Sequence, residues 1–183
     1  MHFWGHLKTV LSHKWQVFLL CKKVGIIYQG ITHDLSKFSP TEFLPGAKYY
    51  QGGKRSPNEQ ERLLFGYSAA WLHHKGRNRH HFEYWCDYNP KERKMLPIKM
   101  PVKYLAELLC DRIAASKTYQ GKNYTNAFPL EYFLRGKSTR TIHPETSDFI
   151  EKMLTLLANE GEEKMISELK GLLKCNKGLE SNY

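Results

Sequence analysis

Imidazole and carboxylate side chains recur between residues 13 and 111 in an order that could bind a metal ion. Within residues 31–37, His33 is followed directly by Asp34. Imidazole nitrogens and carboxylate oxygens together suit Fe, Mn, Zn, Co or Ni, with bonds of about 2.0–2.2 Å in the zinc case. Lys37 lies one turn beyond Asp34 and could meet an anionic substrate as a point charge. A His-Asp pair is common by chance, so its meaning depends on the other His and Asp residues.

The chain also contains two His-His pairs seven residues apart, His73-His74 and His80-His81. Gly76 lies between the pairs and is expected to end a helix. Neighbouring imidazoles lose hydration if they are buried without partners, and a metal ion supplies such partners. The alternative is a polar surface patch. On a helix, His74 falls on the same face as Leu64, Tyr67 and Trp71, whereas His73 does not. The sequence therefore predicts that His74, rather than His73, points inward.

Two further ligand-type residues lie on predicted helices. His13 falls between Val10 and Val17 on the apolar stripe of the first helix, so its side chain is expected to point inward. We interpret His13 as a ligand, and His6 on the same stripe as a buried, neutral, hydrogen-bonded histidine. Asp111 follows Cys110 on a later helix with apolar neighbours. A buried carboxylate needs a cation or hydrogen-bond donors, and the alternative to a metal is an ion pair with Arg112 or another basic residue.

The elements that must position these residues are all predicted to be helices. Apolar periodicity, proline starts and glycine stops predict seven of them: residues 2–28, 40–49, 56–75, 101–120, 126–133, 144–160 and 162–174. The start signals include a capping box from Ser39 to Glu42. Because no strand-length alternating segment is found, the sequence predicts an all-α fold, with residues 1–175 as a single-domain helical bundle and residues 176–183 as a frayed tail.

Composition limits the class of protein and its partners. The chain has 183 residues, 41% of them hydrophobic, which is enough for one sizeable core. It has no apolar run of the ~20 residues that a membrane span needs and no secretory signal layout. Its four cysteines lie far apart, so we expect reduced thiols and a cytoplasmic location. The net charge of +10 suggests nucleic acid, nucleotides or anionic lipid as partners, or simply a basic solvated surface.

The order of the ligand-type residues resembles that of the HD-domain superfamily of metal-dependent phosphohydrolases. The resemblance covers about residues 6–116, and residues 33–37 are similar to the His-Asp-x-x-Lys form of several of its branches. Those branches include cyclic-dinucleotide phosphodiesterases, diadenosine tetraphosphate hydrolases and di-iron inositol oxygenases. Residues 80–85 also resemble a His-His-Glu element, although the Gly-Tyr-Pro element of the cyclic-dinucleotide branch is absent. The whole chain looks closest to small HD-like proteins with no assigned function.

The resemblance implies a bundle of five or more helices around one or two divalent transition metal ions. One ion would be held by His13, His33, Asp34 and Asp111, and Asp34 would bridge to a second ion. The further ligands would be His74 and one or both of His80 and His81. The metal would lower the pKa of bound water and neutralise phosphate charge. Lys37, Arg77 and Arg79 are the candidate phosphate binders, and Asp34, Lys37, Glu83 and Glu107 are the candidate catalytic residues.

Three functions are compatible with these observations. The first is a phosphohydrolase that acts on a small phosphorylated or nucleotide substrate. The second keeps the metal site but is a di-iron oxygenase, since histidine-rich ligation with carboxylates suits iron. The third is a basic nucleic-acid-binding protein with structural histidines, in which aromatics beside basic residues, such as Tyr49 next to Lys48, stack on bases. Metal content and oxygen consumption separate the first two, and salt-dependent nucleic-acid binding without metal would indicate the third.

Overall fold

The computed structural model describes residues 2–53 and 55–176, and it is predominantly helical, with 72% helix. This confirms the predicted all-α class. The described residues form these α-helices: α1 (Phe3–Val24), α2 (Ile27–Thr32), α3 (Pro40–Lys48), α4 (Pro57–Phe65), α5 (Ala69–Lys75), α6 (Val102–Gln120), α7 (Phe128–Arg135), α8 (Pro144–Glu160) and α9 (Glu162–Asn176). Short 3-10 helices cover Leu35–Phe38, Phe82–Tyr84, Gly121–Asn123 and Lys137–Thr139. The expected frayed tail lies outside the described residues, except for position 176 at the end of α9.

One departure from the predicted all-helical pattern is an antiparallel hairpin of β1 (Cys86–Asn89) and β2 (Lys94–Pro97). The expectation that the chain has no strand was therefore wrong at this point. The side-chain oxygen of Asn89 accepts two backbone N–H groups and closes the turn. Tyr88 and Met95 are exposed on one face, and on the other face Asp87 is exposed and Leu96 is half-buried, so neither face of the hairpin is buried. Without a buried face there is no apolar–polar alternation for the sequence to show.

Glycine turns divide two of the predicted helices. The first predicted helix ends at Gly25, which has φ 95° and donates its backbone N–H to the carbonyl of Cys21. The chain then continues as α2. The predicted helix over residues 56–75 is broken in the same way at Gly66, with φ 79°. Left-handed backbone suits glycine, so each turn is fixed locally.

The second of these breaks changes which side chains are buried. The Ser68 hydroxyl accepts the backbone N–H of Trp71 and caps the start of α5. Leu64 and Tyr67 are consequently 55% and 57% exposed, which corrects their predicted place on an inward stripe. His74, on the far side of the break, is buried with 3% exposure.

The core surrounds α6, which packs against α1, α7, α8 and α9. Leu109 and Ile113 of α6 are fully buried, as are Val17 of α1 and Met153 of α8. Ala114 of α6 is also fully buried, and its small side chain permits close helix approach. The α1–α6 contact is important for function because these two helices carry His13 and Asp111.

No helix in the described part of the chain combines the length and the apolar character that crossing a lipid bilayer would require.

Candidate metal centre

The His-Asp pair lies in a turn between α2 and the 3-10 helix Leu35–Phe38. Asp34 has φ 53° and ψ 29°, a left-handed conformation that aspartate tolerates better than most residues. The Lys14 ammonium of α1 donates to the carbonyls of Ile31, at 2.8 Å, and His33, at 2.5 Å. The turn is thereby held against α1, and both side chains of the pair are buried, with 1% and 2% exposure. His33 Nε2 and Asp34 Oδ2 lie 3.3 Å apart, which adjacent residues on a regular helix would not achieve.

A first group of ligand-type atoms comes from α1, this turn and α6. It consists of His13, His33, Asp34 and Asp111, whose ligand atoms all lie within 4.8 Å of one another. Asp111 Oδ1 is 3.0 Å from His13 Nε2 and 3.6 Å from His33 Nε2. Atoms that each bond one ion at about 2.0–2.2 Å are separated by distances of this order. The group therefore fits a single metal ion.

A second group shares Asp34 with the first and consists of Asp34, His74, His80 and His81. The other oxygen of the carboxylate, Asp34 Oδ1, lies 3.3 Å from His74 Nε2 and 3.5 Å from His80 Nε2. His74 Nε2 also lies 2.9 Å from His81 Nε2. The two oxygens of Asp34 thus face different groups, and the structure brings both members of the second His-His pair to the site.

Several ligand-type atoms of these two groups are buried without hydrogen-bond partners. His13 Nε2, His33 Nε2, Asp34 Oδ1 and His80 Nε2 are buried and make no hydrogen bond within the described residues. Most buried polar atoms in proteins have a partner, and each one left without costs about 1–3 kcal/mol. These three imidazole nitrogens and one carboxylate oxygen are accounted for if they bind one or two metal ions.

Neighbouring groups keep the two aspartates of the centre ionised. Burial alone would raise the pKa of Asp34, but nearby His33 and Lys37 hold it well below its ordinary value. The pKa of Asp111 is likewise held well below its usual range, against the effect of burial, by the nearby imidazoles of His13 and His33. Both aspartates are therefore in the form that binds cations.

The imidazoles of His33 and His80 lie between Asp34 and Glu107 of α6. Its Oε1 is 3.0 Å from His33 Nδ1 and 3.1 Å from His80 Nδ1. A carboxylate that accepts hydrogen bonds from the Nδ1–H groups leaves both Nε2 atoms unprotonated, so these atoms can act as metal ligands. The geometry therefore places Glu107, a candidate catalytic residue, where it can orient ligand imidazoles. It does not place this carboxylate on the cavity beside the site.

Glu42 of α3 has a similar position that the sequence analysis missed. Its two carboxylate oxygens lie 2.6 Å from His73 Nδ1 and 2.7 Å from His74 Nδ1. The predicted capping box is not formed, because Ser39 makes no side-chain cap bond and Glu42 turns inward. Glu42 lies one turn before the buried Gly46, so an acid on the buried face of α3 was the signal that could have identified it.

A cavity of about 720 Å³ opens beside the centre. From the centre it is lined by His13, Asp34, His74, His81 and Asp111. Six cationic side chains also line it: Lys37, Arg55, Arg62, Arg112, Arg135 and Arg140. Lys37 Nζ is 2.6 Å from Asp34 Oδ2; burial lowers the pKa of Lys37, but the carboxylates of Asp34 and Asp111 more than offset this and raise it. The cavity therefore combines a candidate metal centre with a cationic wall.

The structure does not bring all of the predicted substrate-binding residues to this cavity. Arg77 and Arg79 are exposed and do not line it, so their expected role as phosphate binders finds no support at this cavity and stays a prediction. Arg77 donates to the carbonyl of His73, and Arg79 to the hydroxyl of Tyr104. Glu83 does line the cavity, and its Oε2 is buried without a hydrogen bond among the described residues. Burial raises the pKa of Glu83.

Comparisons with known proteins place the chain in a family without naming an activity. The model of a family of unknown function, DUF5662, matches residues 2–156. This match spans well over half of the chain and includes every residue of the two ligand groups. No match was found among curated proteins, and none among solved structures. On the strength of the family match, the chain belongs to the family of unknown function DUF5662.

Proposed function

We propose that this protein is a metal-dependent phosphohydrolase that acts on a nucleotide or another phosphate ester. The observation that carries the proposal is the convergence of buried, unpartnered imidazole and carboxylate atoms around Asp34, beside a cavity with a cationic wall. Imidazole and carboxylate ligands suit divalent transition metals, and guanidinium and ammonium groups suit phosphate. The order of these residues along the chain also resembles that of the HD-domain superfamily.

The ligands of one ion would be His13, His33, Asp34 and Asp111, and those of a second would be Asp34, His74, His80 and His81. When bound, a divalent metal supplies a Lewis acid for the phosphate oxygens and lowers the pKa of water to about 7.

The chain's own residues supply orientation and charge. Glu107 and Glu42 hold the imidazoles by their Nδ1 atoms, so the Nε2 atoms face Asp34. Lys37, at the cavity and 2.6 Å from Asp34 Oδ2, is placed to bind a phosphate oxygen beside the centre. Glu83 places a buried carboxyl with raised pKa on the same cavity, a suitable position for a proton donor to a leaving oxygen.

The experiment combines metal analysis with a substrate screen. Protein purified with and without oxygen is analysed for its metal content, then supplied with Mn, Fe or Zn and assayed against p-nitrophenyl phosphate and nucleoside monophosphates. We expect one or two ions per chain and ester hydrolysis that a chelator abolishes. A chain that holds far less than one ion under every condition would remove the basis of the proposal.

The second candidate is a di-iron oxygenase of the HD type. It is favoured by one specific feature, the position of Asp34 with its two oxygens facing different, histidine-rich groups. Such ligation suits iron. Iron as the resident metal, with oxygen consumption and no ester hydrolysis, would favour this function over the first.

A nucleic-acid partner is the alternative to the small phosphorylated substrate, and a cytoplasmic location is a further part of the proposal. The net charge of +10 supports the former, and the four free cysteines support the latter. Nucleic-acid binding that weakens steeply with salt in metal-free protein would identify the basic surface, rather than the cavity, as the functional site.

A further inference from the structure

Three arginines surround a single tyrosine ring on the cavity wall. The guanidinium carbons of Arg112, Arg135 and Arg140 lie 5.5, 5.8 and 5.8 Å from the centre of the Tyr132 ring. Arg112 comes from α6, Arg135 from the end of α7, and Arg140 from the segment after it. All three line the same cavity as Asp34. We call this set the arginine cluster.

The arginine cluster has no ion-pair partner among the described residues. Among the described residues, no carboxylate oxygen lies within 4.0 Å of its guanidinium nitrogens, whereas Arg55 on the same cavity has Glu59 as an ion-pair partner at 3.8 Å. Glu83 also lines the cavity, but its Oε2 has no hydrogen-bond partner. Guanidinium groups held close together repel one another unless an anion lies between them.

Contacts within the protein already hold part of the arginine cluster in position without a ligand. Arg140 donates to the carbonyls of Phe133, at 2.7 Å, and Tyr132, at 3.3 Å, which fixes it to the end of α7. Arg112 is half-buried, and its Nε has no solvent contact and no hydrogen bond among the described residues. Arginine presents several N–H groups in a fixed plane that matches phosphate and carboxylate oxygens. The guanidinium of Arg112, with an N–H that has no acceptor among the described residues, is therefore held at the cavity.

The position of Arg112 relates the arginine cluster to the metal centre. Arg112 follows Asp111 directly on α6, and neighbouring helical residues point about 100° apart. Asp111 turns to His13, while Arg112 turns to the Tyr132 ring. The cavity of about 720 Å³ is large enough for one ligand that reaches both places.

We propose that Arg112, Arg135 and Arg140 form a second anion-binding site, which holds an anionic group of the substrate other than the phosphate ester that faces Asp34. This inference rests on the proposed function and narrows its substrate class. The substrate would be a phosphate ester that carries a second phosphate or a carboxylate. An uncharged alcohol portion would leave the arginine cluster without a partner.

The test uses phosphonates, which bind like phosphates but are not hydrolysed as esters. Affinities for the full-length protein are measured by calorimetry for propylphosphonate, for alkane bisphosphonates of increasing chain length and for the matching phosphonocarboxylates. In metal-loaded protein, we expect the best bisphosphonate or phosphonocarboxylate to bind at least about tenfold more tightly than propylphosphonate. The two series show whether the second group is a phosphate or a carboxylate.

The variants are Arg112→Gln and Arg135→Gln, with Arg93→Gln as the control. Arg135 and Arg93 are both exposed arginines, but Arg93 lies in the hairpin turn and does not line the cavity. Arg112→Gln should remove most of the bisphosphonate advantage and change propylphosphonate affinity by less than about twofold. Arg135→Gln should have a smaller effect in the same direction, and it keeps the test valid if Arg112→Gln fails to fold. Arg93→Gln should have none.

Metal-free protein separates this inference from the proposed function. After chelation, propylphosphonate should still bind, and Arg112→Gln should weaken that binding by about tenfold. If this holds and no metal ever binds, the arginine cluster stands as an anion site while the proposed function fails. If metal binds but no second anionic group improves affinity, or Arg112→Gln weakens both ligands equally, the inference is overturned.

Discussion

Asp34 connects the two groups of ligand-type residues, because one of its oxygens faces His33 and the other faces His74 and His80. Its left-handed backbone, rather than helical spacing, gives it this position beside its neighbour His33. Lys37 contacts the same carboxylate but has no ligand atom for a cation, so the two residues should differ in what their loss removes.

The first prediction compares Asp34→Ala with Lys37→Met. Asp34→Ala should lose bound metal from both groups and all activity, since it removes the atoms that the groups share. Lys37→Met keeps the length of the side chain and should retain the metal, while activity on anionic substrates falls. Metal per chain and kcat/KM are measured for both. Metal loss in the lysine variant would contradict its assignment to substrate charge.

The second prediction concerns the carboxylate behind the ligands. Glu107→Gln should weaken metal binding by about 10–100-fold, because a neutral amide holds the Nδ1 protons of His33 and His80 less firmly than a carboxylate. Metal affinity is measured by competition with a chelator. Glu92→Gln, at an exposed position in the hairpin turn, is the matched control and should leave the affinity unchanged. Equal affinities in the two variants would show that Glu107 only fills space.

At the scale of elements, close contact between α1 and α3 depends on Gly46. A Cβ at this position would lie 2.3 Å from Nε2 of His6, which is too close for any side chain. His6 is buried among these helices, where burial lowers its pKa to about 4, and it belongs to neither ligand group. The contact matters because α1 carries His13, and α3 carries Glu42.

The third prediction is that Gly46→Ala destabilises the fold by about 1–3 kcal/mol, since overpacking must move an imidazole or a helix. The control is Gly171→Ala on α9, where a Cβ would meet nothing within 4 Å. Alanine should stabilise that helix by roughly 0.5–1 kcal/mol. Urea unfolding of both variants measures the difference. If Gly46→Ala and Gly171→Ala had the same free energy of unfolding, the α1–α3 contact would accommodate the added methyl group without loss of stability.

At the scale of the whole molecule, the candidate ligands connect segments that are far apart in sequence. They come from α1, the turn at residues 33–34, α5, residues 80–81 and α6. Without a cation, Nε2 of His13, His33 and His80 and Oδ1 of Asp34 remain buried without hydrogen-bond partners among the described residues, which disfavours the packed state. A bound metal should therefore stabilise the entire bundle and not only the site.

The fourth prediction is that chelation lowers the melting temperature. A ligand at a hundredfold excess over its Kd stabilises the folded state by about 2.7 kcal/mol. For a chain of this length, this corresponds to about 5–10 °C. The measurement is a thermal melt of metal-loaded protein with and without a strong chelator, repeated after metal is restored. Superimposable curves would place the bound metal at the periphery of the molecule.

Much of the fold could be predicted from the sequence because helices depend on local interactions. Apolar spacing, proline at helix starts and glycine at helix ends are short-range signals, and α6, α8 and α9 lie close to their predicted bounds. The same signals were misjudged where a glycine inside a long pattern ended a helix, as at Gly25 and Gly66. These signals did not indicate the hairpin, because neither of its faces is buried.

The sequence by itself therefore determined the helices and the residue types available for a metal centre. Only the tertiary structure decided which side chains meet, since this depends on how distant helices pack and rotate against one another. That packing brings Glu42 to His74 and places Glu107 behind His33. It leaves Arg77 and Arg79 outside the cavity and brings Arg112, Arg135 and Arg140 to it. No local pattern encodes these contacts, because the residues that make them lie on separate elements.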